Sequence, residues 1–224
     1  MTLILNIETA TKNCSVSLSK DGQVIAIKEL NDGQYSHAEK LHVFIDEILK
    51  ETQKSVQDLD AIAVSKGPGS YTGLRIGVST AKGLSYSLDI PLISISTLVS
   101  LAHAIRVEKD AFIIPMLDAR RMEVYSAVFD ADYNEHREIK AELVDKNSYQ
   151  EFLNQGKVYF LGDGAAKCKT IIQHKNAIFL EDYFPSSKQM TMLSYEKYKE
   201  SNTEDVAYFE PFYLKDFLIT SSKK

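Results

Sequence analysis

Apolar and polar positions along this 224-residue chain change period in a regular way. Residues 3–9 (LILNIET) open on a nearly continuous apolar run, the mark of a buried strand. Residues 14–19 (CSVSLS) alternate strictly, as a half-buried strand does. Asp21-Gly22 is a turn signal and 23–30 (QVIAIKEL) supplies the next strand, so the chain begins as an antiparallel meander. Ser36 and Glu39 have the spacing of a capping box. After them Leu41, Phe44, Ile45, Ile48 and Leu49 fall at i, i+3, i+4, i+7, i+8, which predicts an amphipathic helix over 36–53. Residues 60–65 (DAIAVS) read as a parallel central strand. A glycine-rich segment follows, then a helix over 72–88, a strand after Pro91 (LISIS) and a helix from Thr97. The first hundred residues thus read βββαβαβα. Strands at 112–117, 122–129 and near 137–144 open the second half, followed by a helix, a strand at 158–161, a helix and a strand at 177–180. This is a weaker copy of the first half, without a repeat in the residues themselves. A charged bridge at Glu108–Asp110 divides the chain into residues 1–107 and residues 108–224. The aromatic tail YFEPFYLKDF (208–217) is expected to dock on the body, and the final SSKK to fray.

Composition narrows the picture. Apolar residues make up 44% and charged residues 25%, enough to build a sizeable core. A net charge of −5 and a pI near 5.6 argue against a broad basic surface for nucleic acid. Cys14 and Cys168 lie far apart with no Cys or His at zinc-ligand spacing, so a structural zinc is not expected. The N-terminus lacks the basic lead and apolar run of a signal peptide, and no apolar stretch approaches the roughly 18 residues of a membrane span. The expected compartment is a reducing, bacterial-type cytoplasm.

Residues 67–77 (GPGSYTGLRIG) hold four of the ten glycines. A strand, a glycine turn and a helix have the layout of an anion site, with backbone N–H groups and the helix dipole facing the ligand. The phosphate-reaching lysine of GxxxxGK[ST] is absent, and GxGxxxG misses the dinucleotide spacing. The other reading is steric. Gly73 and Gly77 share a helix face, Thr80 extends the stripe, and small residues there let another backbone come close. That neighbour is either the 36–53 helix, another subunit docked on both helices, or both in turn.

Other chemistry is sparse. His37 and His42 are five apart, so on a helix they point roughly 140° from each other and do not share a metal. No Gly-x-Ser-x-Gly elbow occurs. Asp118, Arg120, Arg121 and Glu123 form a charged turn that reads as solvated or as an anion or partner contact. Gly162-Asp163-Gly164 reads as a turn, or as an approach to an adenosine in a nucleotide-binding fold.

These residues carry a family resemblance. The βββαβαβα half with its weaker copy resembles the two-lobed actin/sugar-kinase/Hsp70-like fold, an α/β architecture in which each lobe is a mixed sheet with helices. GPGSYTGLRIGVSTAKGL (67–84) resembles the signature of the TsaB (YeaZ) family, as do ILNIETAT (4–11), SHAEKL (36–41), MLDARRMEVY (116–125) and the tail EPFYLK (210–215), where Lys215 stands for the family's usual arginine. The resemblance implies a non-catalytic subunit of the bacterial machinery that forms N6-threonylcarbamoyladenosine at position 37 of tRNAs reading ANN codons. It implies a helix-mediated heterodimer with a catalytic paralogue, TsaD, a TsaE-type ATPase joining through the complex, tRNA contacted only through the complex, and a homodimer when the partner is absent. No catalytic, cofactor or metal residue is implied. The expected interface is Leu41, His42, Ile45 and Leu49 with Gly73, Gly77 and Thr80. TsaD-like chains carry an H-x-x-x-H pair and an Asp-Glu after the first strand; here the corresponding features are His37/His42 and Lys12-Asn13. The fold's phosphate hairpin, D-x-G-[ST], is Asn6-Ile7-Glu8-Thr9, with a glutamate that TsaD-like chains share. The proline common in the family near Val43 is absent. The rival reading is an ATP-dependent enzyme or metallopeptidase-like hydrolase that uses the interlobe cleft.

Overall fold

A computed structural model describes residues 1–34 and 36–215. The expected frayed end, and the last two residues of the aromatic tail, lie outside the described residues. The meander forms as expected: β1 (Leu3–Glu8), β2 (Cys14–Lys20) and β3 (Gln23–Leu30) pair antiparallel. Asp21 and Gly22 both take positive φ, 49° and 81°, the geometry that a two-residue hairpin turn demands. The strands β4 (Ala61–Gly67) and β5 (Leu92–Ser96) add in parallel, giving the order β3-β2-β1-β4-β5. A parallel pair needs a crossover, and the helix α2 (Tyr71–Leu88) supplies it.

The helix α1 (His37–Glu51) covers the same face of this sheet as α2. Its apolar stripe, Leu41, Ile45, Ile48 and Leu49, is buried against Leu5, Ile7, Val16 and Leu18. Each such side chain contributes roughly 1.5–3 kcal/mol of transfer free energy. The expected capping box does not form. Ser36 is the N-cap, but its side chain makes no cap hydrogen bond; its Oγ donates instead to Asp32 Oδ2 at 3.3 Å. At α2 the cap is made: Ser70 Oγ accepts from the Gly73 N–H.

The second sheet repeats the first. Strands β6 (Phe112–Asp118), β7 (Glu123–Asp130) and β8 (Glu135–Leu143) form the meander, and β9 (Val158–Leu161) and β10 (Ala177–Leu180) add in parallel. The order β10-β9-β6-β7-β8 corresponds strand for strand to the first sheet. The crossover helices shrink to α4 (Gln150–Leu153) and α5 (Ala165–Cys168), four residues each, which explains why the copy is weak in sequence.

Two helices close the inner faces. α3 (Thr97–Ala102) sends Leu98 and Leu101 into a core with Ile113, Leu117, Phe129 and Leu161 of the second sheet. A helix absent from the expected elements, α6 (Ser187–Lys199), packs on the back of the first sheet, with Met190 against Ile4, Ala61, Ala63, Ile93 and Ile95. Its buried stripe is Ser187, Met190, Thr191 and Ser194, at perfect helical spacing but mostly hydroxyl. Residues 204–212 continue along the first lobe: Glu204 bridges to Leu92, and the Phe212 N–H donates to the Lys66 carbonyl at 2.7 Å. So residues 187–213 pack on the first sheet, although they follow the second in sequence.

Candidate functional site

Two regions concentrate the residues singled out in the sequence: the α1/α2 layer and the cleft between the lobes.

In the α1/α2 layer the glycine stripe is used inside the chain. A Cβ on Gly73 would lie 2.2 Å from the Thr9 carbonyl oxygen and 3.3 Å from His37 Cδ2. A Cβ on Gly77 would lie 2.2 Å from Thr9 Oγ1, and that hydroxyl donates to the Gly73 carbonyl at 2.8 Å. A Cβ on Gly69 would lie 2.4 Å from the Ala10 carbonyl oxygen. The glycines therefore admit the β1–β2 loop, residues 9–11, onto the helix. From α1, His37 comes near Gly73. This ring is buried, and its Nε2–H donates to the Thr11 carbonyl at 2.7 Å. Burial lowers its pKa. His42 is exposed on the opposite side of α1.

The seven expected interface residues separate accordingly. Leu41, Ile45, Leu49, Gly73 and Gly77 are buried within the chain. His42 is exposed and Thr80 half-buried. Around them the outer faces carry residues that the sequence did not single out, Val43 on α1 and Arg75, Ser79 and Tyr86 on α2, with Tyr86 83% exposed. Helical periodicity marks which residues turn inward; it gives no signal that an outward one meets a partner.

The cleft encloses about 950 Å³. Lys12, Ser70 and Tyr71 line the first-lobe wall, Asp118, Arg120, Tyr125 and Asp163 the second, with Tyr213 and Lys215 from the tail. The carboxylates of the charged turn are paired by lysines from α5 and the tail. Lys167 Nζ donates to Asp118 Oδ1 and to the Arg121 and Glu123 carbonyls, and Glu123 pairs with Lys215. Asp163 Oδ1 accepts the Asp118 N–H at 3.0 Å, and burial raises its pKa. Behind the first-lobe wall, Glu8 is fully buried. Its Oε1 accepts from the Ala10 N–H at 2.6 Å and from Ser65 Oγ at 2.8 Å. Burial pushes its pKa up to about 7 against these bonds. Burial also pushes both thiols, Cys14 and Cys168, up to about 11, which leaves them poor nucleophiles at neutral pH. Among the described residues no cluster of three or more His, Cys, Asp or Glu is placed to hold a metal ion, and no helix is long and apolar enough to cross a membrane.

Comparison with known proteins adds a second line. Residues 31–221 match the profile of a family described as "TsaD: tRNA N6-adenosine threonylcarbamoyltransferase". The chain is 32% identical to the tRNA threonylcarbamoyladenosine biosynthesis protein TsaB of Escherichia coli, over 95% of this chain and 94% of that one. It is also 32% identical to a tRNA N6-adenosine threonylcarbamoyltransferase of Bacillus thuringiensis, but over 49% of this chain and 36% of the transferase. In structure it resembles YeaZ from Pseudomonas aeruginosa, with a TM-score of 0.80 at 23% identity over 96% of this chain and 100% of that one. The two-lobed architecture is shared across that likeness.

Proposed function

The chain belongs to the TsaB (YeaZ) family of tRNA threonylcarbamoyladenosine biosynthesis proteins, and from that premise we propose that it is the non-catalytic subunit of the modifying complex. Its task is to bind and support a TsaD-type transferase that forms N6-threonylcarbamoyladenosine at position 37 of tRNAs reading ANN codons. A TsaE-type ATPase and tRNA join through the complex, in the cytoplasm. The observation that carries this reading is the difference in coverage. The likeness spans nearly all of a TsaB relative and about a third of the transferase. The state of the cleft supports it: its carboxylates are held by a backbone N–H, a lysine and a tail residue.

The partner face proposed is the outer surface of α1 and α2. His42 and Thr80 make contact there, while Leu41, Ile45, Leu49, Gly73 and Gly77 act from beneath by fixing the two helices against the β1–β2 loop and the sheet. The same face pairs two copies when the transferase is absent. The test is gel filtration of mixtures with the transferase of the same organism. Thr80→Arg and His42→Asp should each weaken co-elution about tenfold or more while the circular dichroism melt stays near that of the parent. An undiminished heterodimer in both variants removes this face. The rival, catalysis in the cleft, draws on the cavity of about 950 Å³. It predicts micromolar binding of magnesium-ATP by the isolated chain in calorimetry; the scaffold reading predicts none.

A further inference from the structure

The C-terminal segment crosses from one lobe to the other, and we propose that residues 204–215 are a strap that sets the opening of the interlobe cleft. One end is sewn to the edge of the first sheet. The Glu204 N–H donates to the Leu92 carbonyl at 2.8 Å, and Ser94 Oγ donates to Glu204 Oε1 at 2.5 Å. Lys82 Nζ on α2 then holds the Phe209 carbonyl at 2.8 Å, while Phe209 packs on the first-lobe core. At Gly67 the strap turns onto the mouth of the cleft. A Cβ there would lie 2.7 Å from the Phe212 carbonyl oxygen, and φ is +111°, so glycine is required twice over. The Tyr213 ring packs on that of Tyr71 with centroids 4.8 Å apart, and the Arg75 guanidinium sits 4.8 Å from the Tyr71 centroid. The far end crosses to the other lobe: Lys215 Nζ pairs with Glu123 Oε2 on β7. Every other ion pair among the described residues joins groups on one side of the cleft.

The strap residues Phe212, Tyr213, Leu214 and Lys215 line the cleft together with Ser70 and Arg120 of the two walls. Its two fastenings differ in kind. The first-lobe end rests on backbone hydrogen bonds and buried aromatic surface. The second-lobe end, as far as the described residues run, rests on a partly exposed ion pair, worth little and weakened by salt. The far end therefore lets go first, and the mouth of the cleft widens while the α3 core that joins the lobes stays packed and the first lobe stays folded. This inference does not depend on which partner binds α1 and α2.

The test is amide hydrogen exchange by mass spectrometry on the full chain, read at peptides covering the cleft walls, 68–72 and 117–121, and at the interior strand β4. Lys215→Met and Glu123→Gln should each speed exchange at both walls about three- to fivefold, the upper part of the range a partly exposed ion pair commands. Strand β4 should be unchanged. Raising salt should speed wall exchange more in the parent than in either variant, in which only the Lys167–Asp118 pair remains at that wall to be screened. The exchanged pair, Lys215→Glu with Glu123→Lys, should return both walls to within about twofold of the parent. Tyr213→Ala should free the segment further, and because Lys215 and Glu123 are partly exposed, their variants keep the test open if that one fails to fold. Wall exchange equal to the parent in Lys215→Met and Glu123→Gln, or faster exchange confined to 204–215, overturns the proposal.

Discussion

Glu8 shows how much one side chain is asked to do. It closes β1, ties the β1–β2 loop to β4 through the Ala10 N–H and Ser65, and does so with no exposure to water. Desolvation outweighs its hydrogen bonds and raises the carboxyl to about 7, against 4.5 when solvated. The sign of the consequence follows from proton linkage. Between these two values the folded chain holds a proton that the unfolded chain has released, so stability falls as pH rises from about 4.5 to about 7 and is level above. Other groups titrate as well, with Asp163 acting in the same sense and Asp130 in the opposite one. The clean measurement is therefore a difference. Denaturant midpoints of the parent and Glu8→Gln should converge or cross as pH rises from 4.5 to 7, with the parent losing ground; parallel profiles disprove the coupling. In the sequence Glu8 stands out as a charge inside an apolar run and as the glutamate at the fold's phosphate-hairpin position. That it is buried, and what holds it, depends on Ser65, which lies 57 positions further on.

At the scale of elements, regular apolar spacing and the Asp21-Gly22 turn are legible in the sequence, and polar helix faces and long-range neighbours are not. β3 and β9 fall where alternation and short apolar runs put them, and α1 and α2 differ from the expected ranges by a residue or two. α6 escaped because its inward stripe is Ser187, Met190, Thr191 and Ser194, which a hydrophobic period does not register. Those hydroxyls answer polar groups on the sheet: Ser194 Oγ donates to Asn6 Oδ1 at 2.7 Å, and Ser187 Oγ lies 2.8 Å from Ser15 Oγ. The signal that was available was Ser186 with Gln189, a complete capping box. The glycines of α2 were legible as a demand for close approach, but not as to what approaches. The neighbour is a loop 60-odd positions earlier, as the 64-residue separation of Thr9 and Gly73 shows. Alanine at either site improves helix propensity by roughly 1 kcal/mol and still loses overall, because overpacking costs about 1–3 kcal/mol. Gly73→Ala strikes a backbone carbonyl and should cost more than Gly77→Ala, which strikes a side-chain hydroxyl whose displacement gives up one hydrogen bond, to the Gly73 carbonyl. Thermal melts that rank the two in the reverse order, or show a gain, contradict this account of the stripe.

For the whole molecule the decisive fact is that the chain returns. The bridge near residue 108 separates two meanders, yet the back of the first sheet is covered by α6, from beyond the second. A fragment ending at residue 107 thus presents Ile4, Ala61, Ala63, Ile93 and Ile95 without their cover. It should aggregate or stay molten, with dye binding and poor chemical-shift dispersion. A fragment of the same length joined through a flexible linker to residues 186–215 should show a cooperative melt. A well-folded 1–107 fragment refutes the point. The same return path has a consequence in time. A ribosome making this chain finishes the first sheet long before it reaches α6. From Ser96 to Ser187, about 90 residues at roughly 5–20 per second leave an apolar sheet face waiting for some 4.5–18 s. During that interval the face formed by Ile4, Ala61, Ala63, Ile93 and Ile95 lies open to whatever apolar surface it meets, and any pause in translating the second lobe lengthens the wait.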